Sequence, residues 1–307
     1  MGFFRLIYFT FYVIMPFDYS IEDGKNMKKT VITADSPIDL SAEQASRYGI
    51  EIIPLHVILD SRDYLDGVDI TPDDIYNAYN EKKILPSTSA ISVAEYESFF
   101  QKFVSEGYDV VHLSLSSAIS STHQNAKIAS MEMENVHVVD TRRLSTGMAV
   151  LAIKGTEMVA SGMGAAEIAS NLTAMRDKVS TSFLLETLTY MNKGGRCSAL
   201  AVLGANILGI KPTIENLNDG SLVVGKKFRG KTNTVRLQYI NEKLSSPNID
   251  YSRIFVDHSG IDNDELMELK AYIEDNYDFD EVLISRAGST ISTHCGPGTF
   301  ALMFMYN

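Results

Sequence analysis

Two cysteines in 307 residues, Cys197 and Cys295, are too few and too far apart to form a disulfide framework or a metal site, and a reducing cytoplasm fits them. Basic residues are also scarce. Lys and Arg number 27 against 39 Asp and Glu, a formal net charge of −12, so the chain's own field repels polyanions and argues against nucleic acid as a general partner. No apolar run is long enough to span a bilayer, which excludes stable membrane insertion and leaves only transient membrane contact open. Missing too are a Gly-x-Ser-x-Gly elbow, a Walker A loop, a Cys-x-x-Cys, and any pair of histidines or acids at ligand spacing on a helix. The nearest approach to a phosphate loop, Lys193-Gly194-Gly195-Arg196, lacks the first glycine and the Lys-Ser/Thr ending. No metal or cofactor is expected.

What remains is an ordinary globular composition, 45% hydrophobic and 21% charged, in a chain longer than one core usually organises, so two domains are expected. Residues 1–26 are set apart by an apolar, aromatic block with a lone Arg5 and no clear cleavage site. They read as a disordered extension or a mistaken upstream start rather than an export signal, with Met27-Lys28-Lys29-Thr30 as the working beginning.

Apolar runs at Lys29 to Thr33, Ile50 to Leu59, Asp109 to Leu115 and Val136 to Val139 alternate with helical segments. That alternation predicts a doubly wound α/β domain with a mainly parallel sheet. The helices carry start signals: Ser41 before Ala42, Thr71-Pro72, and a capping box of Ser92 with Glu95. Tyr96, Phe99, Phe100 and Phe103 make one apolar face of the third helix. Asp60 to Asp69 reads as an acidic loop. Leu144 to Ala160 and Ala165 to Lys178 read as two helices, the first bridging the halves, which sets domains at 27–160 and 161–307 with a soft boundary. Beyond lie a strand at Ser182 to Leu185, a short helix at Leu188 to Lys193, a buried helix at Ala199 to Leu208, and a hairpin around Asn218-Asp219-Gly220. A further βα repeat follows, with strands at Arg253 to Asp257 and Glu281 to Ser285.

Two hydroxyl clusters stand out, Leu85 to Ser92 and Leu113 to Ala126. Each lies near the carboxyl end of a strand, where ligands bind in such sheets. The second joins a strand to a helix N-terminus, whose unpaired N–H groups favour an anion; simple capping is the alternative. His294, beside Gly296-Pro297-Gly298, is the histidine best placed to meet a ligand. His56, His112 and His137 sit in apolar strand contexts and read as packed residues. A Ser120, His294, Asp140 triad is compatible with sequence order. Lys226, Lys227, Arg229 and Lys231 form a basic cluster that meets either an anionic partner or solvent.

Five segments together resemble the DegV family of bacterial fatty-acid-binding proteins. They are Thr88-Ser89-Ala90-Ile91-Ser92, the run Ser116 to Gln124, Val138-Val139-Asp140-Thr141 with Ser145-Thr146-Gly147, Lys193-Gly194-Gly195-Arg196, and His294-Cys295-Gly296-Pro297-Gly298. The resemblance implies a two-domain fold of the EDD type, its C-terminal α/β domain built on a mixed sheet. It implies a buried long-chain fatty acid, such as palmitate, stearate or oleate, whose carboxylate meets Thr88, Ser120, Arg196 and His294. Ser89, Ser121 and Gly296 are further lipid-binding candidates. It also implies a carrier rather than an enzyme, presenting its ligand to a separate fatty acid kinase for phospholipid synthesis, with Arg229 at the docking face. Three positions depart from the family pattern: Ile91 for proline, Ser121 for glycine and His123 for tyrosine. The Cβ of Ser121 is expected to reshape the turn. Two other functions stay open, a serine-dependent esterase using Ser120 or Ser121 with His294, and a lipid-sensing regulatory module.

Overall fold

The computed structural model describes residues 29–198 and 209–307; the readings made for residues 1–26 and for the Ala199 to Leu208 helix lie outside them. Strand β1 (Thr30–Asp35) is a β-branched run whose second half is buried, as befits a strand covered on both faces. Helix α1 (Ala42–Tyr48) starts at a Ser41–Gln44 capping box and stops at left-handed Gly49. The expected single strand Ile50 to Leu59 is in fact two, β2 (Ile50–Ile53) and β3 (His56–Leu59), in different sheets. Pro54, with no N–H to give a ladder, marks the break. The expected acidic loop supplies β4 (Arg62–Leu65), paired with β3 across Asp60 and Ser61, both at positive φ.

Next come α2 (Pro72–Lys82), begun by Thr71 with Asp74, and β5 (Ser87–Ser89), which pairs with β3 inside the first hydroxyl cluster. Helix α3 (Val93–Ser105) opens on the Ser92–Glu95 box and buries Tyr96, Phe100 and Phe103. Strand β6 (Asp109–Ser114), α4 (Thr122–Ala129) and β7 (Val136–Asp140) complete a parallel sheet in the order β2-β1-β6-β7. Chain direction across the sheet reverses between β1 and β6, so the crevice beyond Asp35 and Ser114 is the topological switch point.

Helix α5 (Thr146–Ala160) is buried along most of its length and packs against β1 on one side and the second sheet on the other. At Gly147 a Cβ would stand 2.3 Å from Thr181 Oγ1, so the close approach requires glycine there. Helix α6 (Ala165–Met175) covers β6 and β7. The remainder runs β8 (Val179–Leu184), α7 (Thr189–Gly194), β9 (Ile210–Asn216), β10 (Leu222–Arg229), α8 (Thr232–Lys243), β11 (Ile249–His258), α9 (Asn263–Asn276), β12 (Val282–Arg286), α10 (Ser289–Cys295) and β13 (Phe300–Tyr306). Its six-stranded mixed sheet is ordered β10-β9-β8-β13-β11-β12, with β11 and β12 parallel and the other pairs antiparallel. The sequence reading stopped short of β13, which lies inside the sheet and is buried from Phe300 to Met305. One apolar core runs through both sheets by way of α5, including Ile32, Val111, Leu151, Phe183 and Met303.

Candidate functional site

A cavity of about 290 Å³ opens beside the switch point. Its hydrocarbon wall includes Leu115, Ile119, Phe183, Met191, Leu222 and Met303. Thr88 and Ser89 enter from β5, Ser120 and Ser121 from the turn before α4, Arg196 from the segment after α7, and His294 from α10. All six predicted polar positions thus border one cavity. Gly296 stands apart: at φ 73° it packs under Tyr190, where a Cβ would come within 2.6 Å of the ring. Arg229 lies elsewhere, in a surface groove with Lys227, Phe228 and Gln238. Lys226 in that cluster is paired with Glu242 at 2.7 Å.

The polar wall centres on His294. Its Nε2 is 2.9 Å from Thr88 Oγ1, while Nδ1 is buried with no hydrogen-bond partner. A Cβ at Gly194 would stand 2.3 Å from Nδ1, so that glycine leaves room for the ring. Burial, with the Arg196 guanidinium as a second cause, pushes the imidazole down to about 4. The ring is therefore neutral at pH 7. Placing its one proton on Nε2 leaves a bare lone pair at Nδ1 rather than an orphaned donor, and frees the Thr88 hydroxyl to donate into the cavity. Arg196 is exposed and anchored by Nη1 to the Gly194 carbonyl at 2.7 Å.

The hydroxyl turn satisfies much of its own hydrogen bonding. Ser117 Oγ and N both bond the Asp140 carboxylate, which also accepts from Arg142 N; these bonds hold the carboxyl below the usual aspartate range despite its burial. Ser116 Oγ donates to the Gly220 carbonyl at 3.0 Å, tying the turn to the β9–β10 hairpin. Ser120 Oγ contacts Thr122 Oγ1 and accepts from Thr122 N at 3.2 Å. Ser121 takes a φ of −78° and a ψ of 0°, ordinary right-handed values that a residue with a Cβ adopts without strain. At the other departures, Ile91 is fully buried and His123 bonds Ser114 Oγ at 2.8 Å. The serine-protease-like arrangement does not assemble, because His294 faces Thr88 and Asp140 faces Ser117. His112 is a core residue as expected, bonded to Asp35 and Thr33.

Sequence reasoning named Ser145 only within a family-like segment and did not name Asp257 or Thr290 as site residues, yet all three also line the cavity. Asp257 had a usable signal, since it closed an expected strand where ligand-facing groups collect. Among the described residues no cluster of His, Cys, Asp or Glu could hold a metal ion, and no helix is long and apolar enough to cross a membrane.

Comparisons with known proteins bear on the family and the fold. A family model described as "Uncharacterised protein, DegV family" matches residues 29–307. A DegV domain-containing protein of Caldanaerobacter subterraneus is 29% identical over 281 residues, covering 91% of this chain and 99% of that one. A Thermus thermophilus structure described as fatty acid binding of a DegV family protein superposes with a TM-score of 0.82 at 25% identity, over 91% of this chain and 100% of that one. A stearic acid-binding protein of Eubacterium ventriosum gives 0.77 at 27% identity, over 91% and 98%.

Proposed function

The chain belongs to the DegV family, and on that premise we propose that it binds a long-chain fatty acid in this cavity, with the carboxylate held by Thr88, Ser120, Arg196 and His294. The observation that carries the reading is the half-buried Thr88–His294 pair set in a wall otherwise rich in hydrocarbon. A carboxylate leaving water needs donors already in place, and a threonine hydroxyl backed by imidazole, a serine hydroxyl and a guanidinium supply them. The acyl chain brings most of the affinity, about 0.8 kcal/mol for each CH₂ removed from water. Ser89 and Ser121 border the same cavity and adjust the carboxylate's position.

The protein then acts as a carrier that presents the carboxyl group to a separate acyl kinase for phospholipid synthesis, with Arg229 and its basic neighbours meeting that partner. The phosphoryl transfer to the carboxyl group, which gives an acyl phosphate, belongs to the kinase. Titration of palmitate into delipidated protein tests the binding step: one molecule bound saturably, and weaker binding to Ser120→Ala with the fold retained, are expected. Absence of saturable binding contradicts the proposal.

A further inference from the structure

Three buried carboxyl groups meet where the two sheets join. Asp39 follows β1, Asp66 follows β4 and Asp257 is the last residue but one of β11, and all three are at most 4% exposed. Asp66 is served by two donors, Ser289 N at 2.7 Å and Ser36 Oγ at 2.8 Å. Asp39 and Asp257 instead converge on a single hydroxyl. Ser145 Oγ is 2.5 Å from Asp39 Oδ2 and in still closer contact with Asp257 Oδ2. The outer oxygens are already occupied, Asp39 Oδ1 accepting Gly288 N at 2.8 Å and Asp257 Oδ1 accepting His258 N at 3.0 Å.

A hydroxyl has one proton and can donate to one carboxylate only. Its contact with the second must be a bond it accepts, from a carboxyl O–H. Ser145 takes a backbone conformation of φ 51° and ψ −148° at the head of α5, a sparsely populated region for a residue with a Cβ. That conformation places the hydroxyl between the two acids.

We propose that Asp39, Ser145 and Asp257 form a proton-binding site that retains one shared proton at neutral pH, and that this proton is linked to occupation of the cavity. Among the described residues no cation is paired with either acid. Facing the pair are Asp66, the buried Cys295 of α10 and His258. His258 accepts Ile261 N at Nδ1 and is pushed down to about 4 by burial, so it is neutral. Arg286 and Arg236, whose charges reach His258, are paired with Asp73 and Glu265. Burial raises both carboxyls, Asp257 to about 7 and Asp39 well above its usual range, with Asp257's charge a second cause for Asp39.

The link to the cavity rests on the fatty-acid reading. Asp257 and Ser145 lie in its wall, and an acyl chain laid against them removes water that an ionised Asp257 needs. Binding therefore raises the pair's proton affinity, and by reciprocity protonation tightens binding. Because the folded-state values are raised, stability is full below the ordinary aspartate range and is lost as pH rises through the folded values. The slope reaches tenfold in the folding equilibrium per pH unit for each proton released.

Ligand-free melting from pH 5.5 to 9.5 tests the site by itself, using wild type, Asp257→Asn and Asp39→Asn. In either variant an amide N–H replaces the acid O–H toward Ser145 Oγ. Wild type should lose stability as pH rises while at least one variant shows a flatter profile and melts above wild type at pH 9.5. Profiles of both variants parallel to wild type, or both melting below it throughout, overturn the site. Calorimetry with monomeric palmitate at pH 8 in two buffers of different ionisation enthalpy tests the link: wild type should take up part of a proton and Asp257→Asn less. Binding without buffer dependence overturns the link, and no palmitate binding at all overturns the fatty-acid reading together with the link, while the melting profiles still decide the proton site.

Discussion

Replacing Thr88 by valine removes one hydroxyl and leaves the rest of the wall in place. Valine is isosteric and suits β5, where position 88 pairs with Val57 in the small antiparallel sheet. The change deletes the 2.9 Å bond to His294 Nε2, and since Nδ1 has no partner already, both ring nitrogens are left without one. An unmet buried polar atom costs about 1–3 kcal/mol of stability. In the bound state a second loss is added, a hydrogen bond to a charged carboxylate, about 1.5–3 kcal/mol, or roughly 10- to 150-fold in Kd. Fluorescence titration with a conjugated fatty acid, alongside thermal melting, measures both. Affinity within twofold of wild type would refute the reasoning, because the hydroxyl could then be neither a donor to the ligand nor the link between ligand and imidazole.

Gly194→Ala keeps a helix-compatible backbone but drives a methyl against His294 Nδ1, 2.3 Å from the ideal Cβ; the ring must turn, and the same titration should show weakened binding with α7 otherwise folded. His294, lowered to about 4 by burial, contributes stability that is present above its unfolded value and is lost as pH falls toward 4. The Asp39 and Asp257 pair moves stability the other way, so the difference between wild type and His294→Asn isolates the histidine: the gap in melting temperature should narrow steadily from pH 7 to pH 4, and a constant gap would contradict the burial argument.

Local chemistry made the first half of the fold legible. Ser41, Thr71 and Ser92 cap helices as their sequences indicate, because a cap is decided by residues three apart. Pro54 was visible too, yet its effect was not, since breaking Ile50 to Leu59 requires knowing that β3 pairs with β4 and β5 rather than with β1. The last strand, Phe300 to Tyr306, is an unbroken apolar run without period-two alternation, and what makes it a strand is its place between β8 and β11. The site follows the same division. Hydroxyls at strand ends announced a binding region, but Thr88 and His294 are 206 residues apart, and physical reasoning on the sequence alone could not join them; resemblance to a family did. Ser145 was legible only as part of a family-like segment and not as a site residue, because its importance comes from an unusual φ and from two acids brought to it from different sheets.

The most direct measurement is mass spectrometry of an organic extract of the purified full chain, with the protein quantified in the same sample. The account predicts a fatty acid of palmitate to oleate size at close to one per chain, reduced in Thr88→Val. An extract free of fatty acid, from a protein that also fails to take up added palmitate or oleate, would contradict it.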